Sequence, residues 1–124
     1  MGTAAGILLI LISIAHNIYG EKIQVPALKK HTVDSIQIGS QRIMVFQGGL
    51  LLFAVGIIQL LVSTHLITLT GIARFFPVGI VLINFFTAFF IAVFIHREIL
   101  KITAPQFVLF SVIISLQLLS LFKN

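Results

Sequence analysis

Residues 43–66 read IMVFQGGLLLFAVGIIQLLVSTHL, an unbroken run without Lys, Arg, Asp or Glu. A helix rises about 1.5 Å per residue and a bilayer's hydrocarbon core is about 30 Å thick, so a run of this length crosses it. Residues 2–20, 76–96 and 104–122 are similarly long and apolar. With these four spans most of the chain is accounted for. The expected fold is all-α, an integral membrane protein folded as one antiparallel four-helix transmembrane bundle with short loops.

Composition points the same way. The chain has 124 residues, of which 59% are hydrophobic and 9% charged, and its mean hydropathy is +1.19. A soluble domain of this size has too little interior to hide that much apolar surface. The net charge of +5 would suggest nucleic acid in a soluble protein. Here the cations fall in the connections between spans, so nucleic-acid binding is not expected. No cysteine is present, which excludes disulfides, thiolate metal sites and thiol catalysis. Residues 1–15 carry no Lys or Arg and no small-x-small site follows, so the first apolar run is expected to be a retained helix rather than a cleaved leader.

Charge counting sets the orientation. Lys22, Lys29, Lys30 and Arg42 lie in the first connection, residues 21–42, and Arg97 and Lys101 lie in the third. Only Arg74 and Lys123 fall on the opposite side. The positive-inside rule then makes the first and third connections cytoplasmic and puts both termini outside. Gly20 is expected to end the first span, with Glu21 and Lys22 returning the chain to water and Pro26 opening a short interfacial helix. Pro77 and Pro105 are expected at the starts of the third and fourth spans, where a missing N–H does little harm.

Lipid supplies no hydrophobic drive for helix association, so small residues and interhelical hydrogen bonds must hold a bundle together. Gly2, Gly6, Ser13, His16 and Gly20 form one stripe of the first helix, and Gly49, Leu52, Gly56, Gln59 and Ser63 one of the second. Asn84, Ala88, Ala92 and His96 form a row in the third, and Ala104, Val108, Ser111 and Ser115 in the fourth. These four stripes are expected to face one another.

Combining faces with topology gathers a polar cluster at the cytoplasmic end: His16, Asn17, Glu21, Arg42, Gln47 and His96, with Glu98 beside it. Ionisable residues in or near a span are costly and often serve a pathway or a ligand. Two imidazoles and a carboxylate also suit Zn or Fe, and haem needs axial His ligands on facing helices, which only His16 and His96 offer at one depth. The plainer reading is that His16 and Asn17 cap or bond between helices, and that His96 simply marks where a span meets water.

The run Ala15-His16-Asn17-Ile18-Tyr19-Gly20-Glu21-Lys22, followed by Pro26, Leu28 and Arg42, resembles a group of small uncharacterised bacterial four-helix membrane proteins. Those share an His-(Ser/Asn)-x-x-Gly-Glu signature at the end of the first helix, then a basic loop and an Arg that opens the second. His16, Gly20 and Glu21 stand at the matching positions, and the likeness covers about the first 50 residues. Such proteins often carry a Trp-His pair early in the second helix, where this chain has Gln47, Gly48 and Gly49. The resemblance implies a four-helix fold in a bacterial inner membrane and no established activity.

Three function classes follow. The first is a noncatalytic accessory or assembly subunit, packing on other membrane subunits or on itself through the Phe-rich third helix, with no cofactor. The second is a membrane ligand, haem, metal or quinone site, or a small membrane enzyme, built on His16 and Glu21. The third is an oligomeric channel or transporter lined by Gln59, Asn84, Ser111, Ser115 and Gln117. No span contains an acidic residue, which speaks against a coupled carrier.

Overall fold

A computed structural model describes residues 1–123. Its helices are α1 (Gly2–Lys29), α2 (Ser35–Ser63), α3 (Gly71–Ile95) and α4 (Leu100–Lys123). Among the described residues there is no strand, and each helix is long and apolar enough to cross a membrane. The chain runs up and down: α1 packs chiefly on α2, α4 packs on α1 and α3, and α3 closes the ring against α2. The start of α1 therefore meets the ends of α2 and α4, where Gly2 approaches Ser63 and Ser120.

The helix ends differ instructively from their sequence expectations. Gly20 does not stop α1. Its backbone is right-handed helical (φ −56°, ψ −50°), and it is there for closeness, because a Cβ would collide with the side chain of Val45. The helix continues as a π turn over Gly20–Gln24 and an α turn over Val25–Lys29. In a regular α-helix the ring of Pro26 would meet the carbonyl four residues back; the wider π turn just before it relieves that conflict. The expected loop 21–42 is thus mostly helical, leaving only residues 30–34 between α1 and α2.

Helix α2 begins eight residues earlier than the expected 43, because Asp34 caps it: the carboxylate Oδ1 accepts the Ile36 N–H at 2.9 Å. It ends at Ser63, before the expected 66, in a paired closure. The Leu66 N–H donates to the Leu61 carbonyl at 2.9 Å and the His65 N–H to that of Val62 at 3.1 Å. That Schellman closure needs a left-handed residue, normally Gly, and here His65 takes it with φ +60°. Pro77 sits in the first turn of the α-helical part of α3, as expected. Pro105 instead lies inside α4, which already starts at Leu100.

The core is a seam of Leu9, Leu52, Val55, Val81, Phe110 and Ile113, one or more from each helix. Gly6 and Gly56 let α1 and α2 close on each other: a Cβ on Gly56 would stand 3.1 Å from the Gly6 carbonyl oxygen, and one on Gly6 3.0 Å from that of Gly56. Ser13, Gly49 and Gln59 are buried on the same seam. Helix α4 departs from its expected face. Ser111 and Ser115 are exposed, their hydroxyls donating to the carbonyls of Phe107 and Ser111 at 2.8 Å. Phe110, Ile113 and Gln117 turn inward instead. A serine that bonds its own helix needs no neighbour, so small size alone did not select the packing face.

Candidate functional site

Of the residues singled out at the basic end, His16 has the most distinctive surroundings. It projects from α1, half-buried, into the wall between two cavities. The outer one, about 490 Å³, is a groove between α1 and the first turns of α4. The inner one, about 180 Å³, lies among all four helices and includes Gly48, Asn84 and Ala88. His16 and Gln106 line both.

Local sequence explains this placement. Gly48 lacks a side chain where the imidazole comes across: a Cβ there would stand 3.5 Å from His16 Nε2. Pro105 and Thr103 form the opposite wall. Thr103 keeps its hydroxyl on the carbonyl of Ile99 at 3.0 Å, and Asn84 donates to its own helix at Ile80 at 2.9 Å. Among the described residues, the ring of His16 and the amide of Gln106 have no such protein partner.

The groove is graded. Tyr19, Gln24, His16, Thr103 and Gln106 bring polar groups to it, while Ile12, Ile102 and Leu109 supply aliphatic wall. No Lys, Arg, Asp or Glu lines either cavity. An imidazole, a carboxamide and a phenol can each donate a hydrogen bond to a neutral acceptor such as a carbonyl.

The rest of the expected cluster is dispersed. Glu21 and Arg42 form a two-pronged ion pair between α1 and α2, Arg42 Nε to Oε2 at 3.0 Å and Nη2 to Oε1 at 2.5 Å. Arg42 thus sits two turns inside α2 and holds it to α1. Asn17 presses on Gly49, where a Cβ would overlap its amide, and its Oδ1 is buried without a partner. Gln47 is exposed on the outer face of α2. His96 is exposed and pairs through Nδ1 with Glu98 at 3.0 Å in the α3–α4 turn. There the Glu98 carboxyl is held below the ordinary carboxylate value, first by a backbone hydrogen bond and then by His96.

His96 lines neither cavity that His16 lines. Among the described residues no three His, Cys, Asp or Glu side chains gather as a metal site.

Gln106 and Thr103 were not singled out from sequence, although a signal was present. Positions 103, 106, 110, 113 and 117 recur at alternating spacings of three and four; Phe110, Ile113 and Gln117 are buried on this stripe, Thr103 is partly buried, and Gln106 stands exposed at the mouth of the groove. Comparison with protein-family models, curated proteins and solved structures finds no match.

Proposed function

We propose that this chain is a multi-pass protein of a bacterial inner membrane that holds an uncharged amphiphile of the quinone class in the groove between α1 and α4. One observation carries the reading: His16 and Gln106 stand at the shared wall of two cavities that no Lys, Arg, Asp or Glu lines, with aliphatic wall on one side. The larger volume, about 490 Å³, lies within the range of about 300–1,000 Å³ typical of small-molecule sites. A quinone head offers carbonyl acceptors to these donors, and its isoprenoid tail suits Ile12, Ile102 and Leu109.

The setting is supported from several sides. At most 33% of the most apolar window of any helix is buried, so apolar side chains cover the outside and call for a lipid surround. Six of the eight cations stand at the end bearing the groove, which favours that end as cytoplasmic and both termini outside. The resemblance at His16, Gly20, Glu21 and Arg42 supports a bacterial source.

The test is a titration of decylubiquinone into the purified protein in mild detergent. Saturable binding is expected, weakened about tenfold by Gln106→Leu or His16→Ala through loss of a hydrogen bond in a low-dielectric site. Unsaturable uptake, or unchanged binding by both variants, would count against the reading.

A second reading, an assembly subunit that packs on other membrane subunits or a second copy, is favoured by one row on α3. Phe86, Phe90 and Phe94 are 60%, 55% and 65% exposed at four-residue spacing, forming one outward aromatic ridge. Native mass spectrometry tests it by whether a fixed ratio of other chains accompanies the protein.

A further inference from the structure

The opposite end of the bundle has a cavity of its own, about 320 Å³, between the ends of α2 and α4, the start of α3 and the α2–α3 loop. Its wall includes Arg74, His65, Thr68, Gln59, Gln117 and Ser120. We propose that this cavity binds an anionic, hydroxyl-bearing headgroup of the glycerophosphate type.

The charge of the site is one-sided. The acids of the described chain, Glu21, Asp34 and Glu98, all belong to the other end. The ion pairs there use Arg42 and His96. Arg74 has only the ring of Phe75, 4.7 Å from its guanidinium carbon, and no carboxylate among the described residues. A guanidinium presents several donors in a planar fork that fits phosphate oxygens two at a time.

The second observation is an incomplete polar pair in the same wall. Gln117 is only 1% exposed. Its Nε2 donates to Gln59 Oε1 at 3.2 Å, spanning α4 and α2, but its own Oε1 is buried without a partner. A buried acceptor left unpaired is costly, so the site lacks one donor. A phosphate supplies the anion for Arg74 and a neighbouring hydroxyl supplies that donor, reaching Gln117 directly or through a water. The remaining wall, which includes Val62, Pro77, Val78 and Leu121, is apolar and accommodates the glycerol carbons and the start of an acyl chain. The groove beside His16 has no cation and lacks this combination.

The experiment uses the full chain in mild detergent and native mass spectrometry with three probes: phosphatidylglycerol, phosphatidylcholine of the same chains, and free glycerol 3-phosphate. Phosphatidylglycerol is expected to bind about tenfold tighter than phosphatidylcholine, whose phosphate is the same but whose choline lacks the hydroxyl donor and sets a cation beside Arg74. Arg74→Gln, at an exposed position, should weaken phosphatidylglycerol binding about tenfold and reduce that preference while leaving the helical circular dichroism and its melting unchanged. Displacement of the lipid by glycerol 3-phosphate would assign the site to a soluble anion. No displacement, with the preference intact, would assign it to the lipid. Equal binding of the two lipids by the unaltered protein, or an undiminished preference in Arg74→Gln, would overturn the proposal. Decylubiquinone binding is read separately and shares no residue with this cavity.

Discussion

Replacing Gly56 by Ala isolates the contact that joins α1 to α2. The added Cβ would lie 3.1 Å from both the Gly6 carbonyl oxygen and the Ile10 backbone nitrogen, and 2.9 Å from Ile10 Cγ1. The Ile10 side chain can rotate away, but the two backbone atoms cannot, so the helices must part by a few tenths of an ångström. Overpacking of this kind costs about 1–3 kcal/mol. The same substitution gains up to about 1 kcal/mol of helix propensity, which would blur a single measurement. Gly79→Ala supplies the correction: Gly79 is also helical, in α3, and its Cβ would meet nothing within 4 Å. The propensity gain cancels between the two variants, and the difference reads packing alone, about 2 kcal/mol in favour of Gly79→Ala. Reversible unfolding in mixed detergent micelles, followed by circular dichroism, measures both. Variants that agree to within about 0.5 kcal/mol would refute the close α1–α2 approach.

Three further outcomes follow from other contacts. His65→Gly should stabilise the protein by about 1 kcal/mol in the same assay, because it removes the left-handed penalty at φ +60°; His65→Ala should not. A double-mutant cycle on Gln59→Leu and Gln117→Leu should give a coupling of about 1 kcal/mol, with the double variant less damaged than the single effects sum to; additive effects would mean that the two amides do not meet. Glu21→Gln and Arg42→Gln should couple by no more than about 1 kcal/mol, since the two side chains remain 39% and 42% exposed, and the coupling should fall with added salt.

The helices themselves were legible because hydropathy over 20 or so residues is a sum, and a sum tolerates local exceptions. Their ends were less legible because each depends on one or two atoms. The residue type of Gly20 suggests a stop, yet its missing Cβ serves Val45 on the facing helix. Pro26 does stand in the first turn of a short α segment, Val25–Lys29, as expected, although a π turn joins that segment to α1; Pro105, expected as a helix start, stands inside α4, whose packing face also differs from the expected stripe. Ser111 and Ser115 satisfy themselves on their own carbonyls and face outward, whereas Phe110, Ile113 and Gln117 are the residues of α4 that turn to its neighbours.

The polar cluster divided along similar lines. His16, Glu21 and Arg42 have defined roles in the fold or its cavities, and residue type suggested as much. Gln47 and His96 share the same end of the bundle but not the same interior, because a 100° step around a helix separates neighbours that sequence places together. Depth was readable; azimuth required the packing.

The most direct test of the ligand groove is photocrosslinking of the purified protein with a photoreactive quinone analogue, followed by peptide mapping. The account predicts saturable adducts in residues 12–24 of α1 and in residues 99–109 at the start of α4, competed by decylubiquinone and weakened together in Gln106→Leu. Labelling spread over the exposed phenylalanines of α3, without saturation or competition, would contradict it.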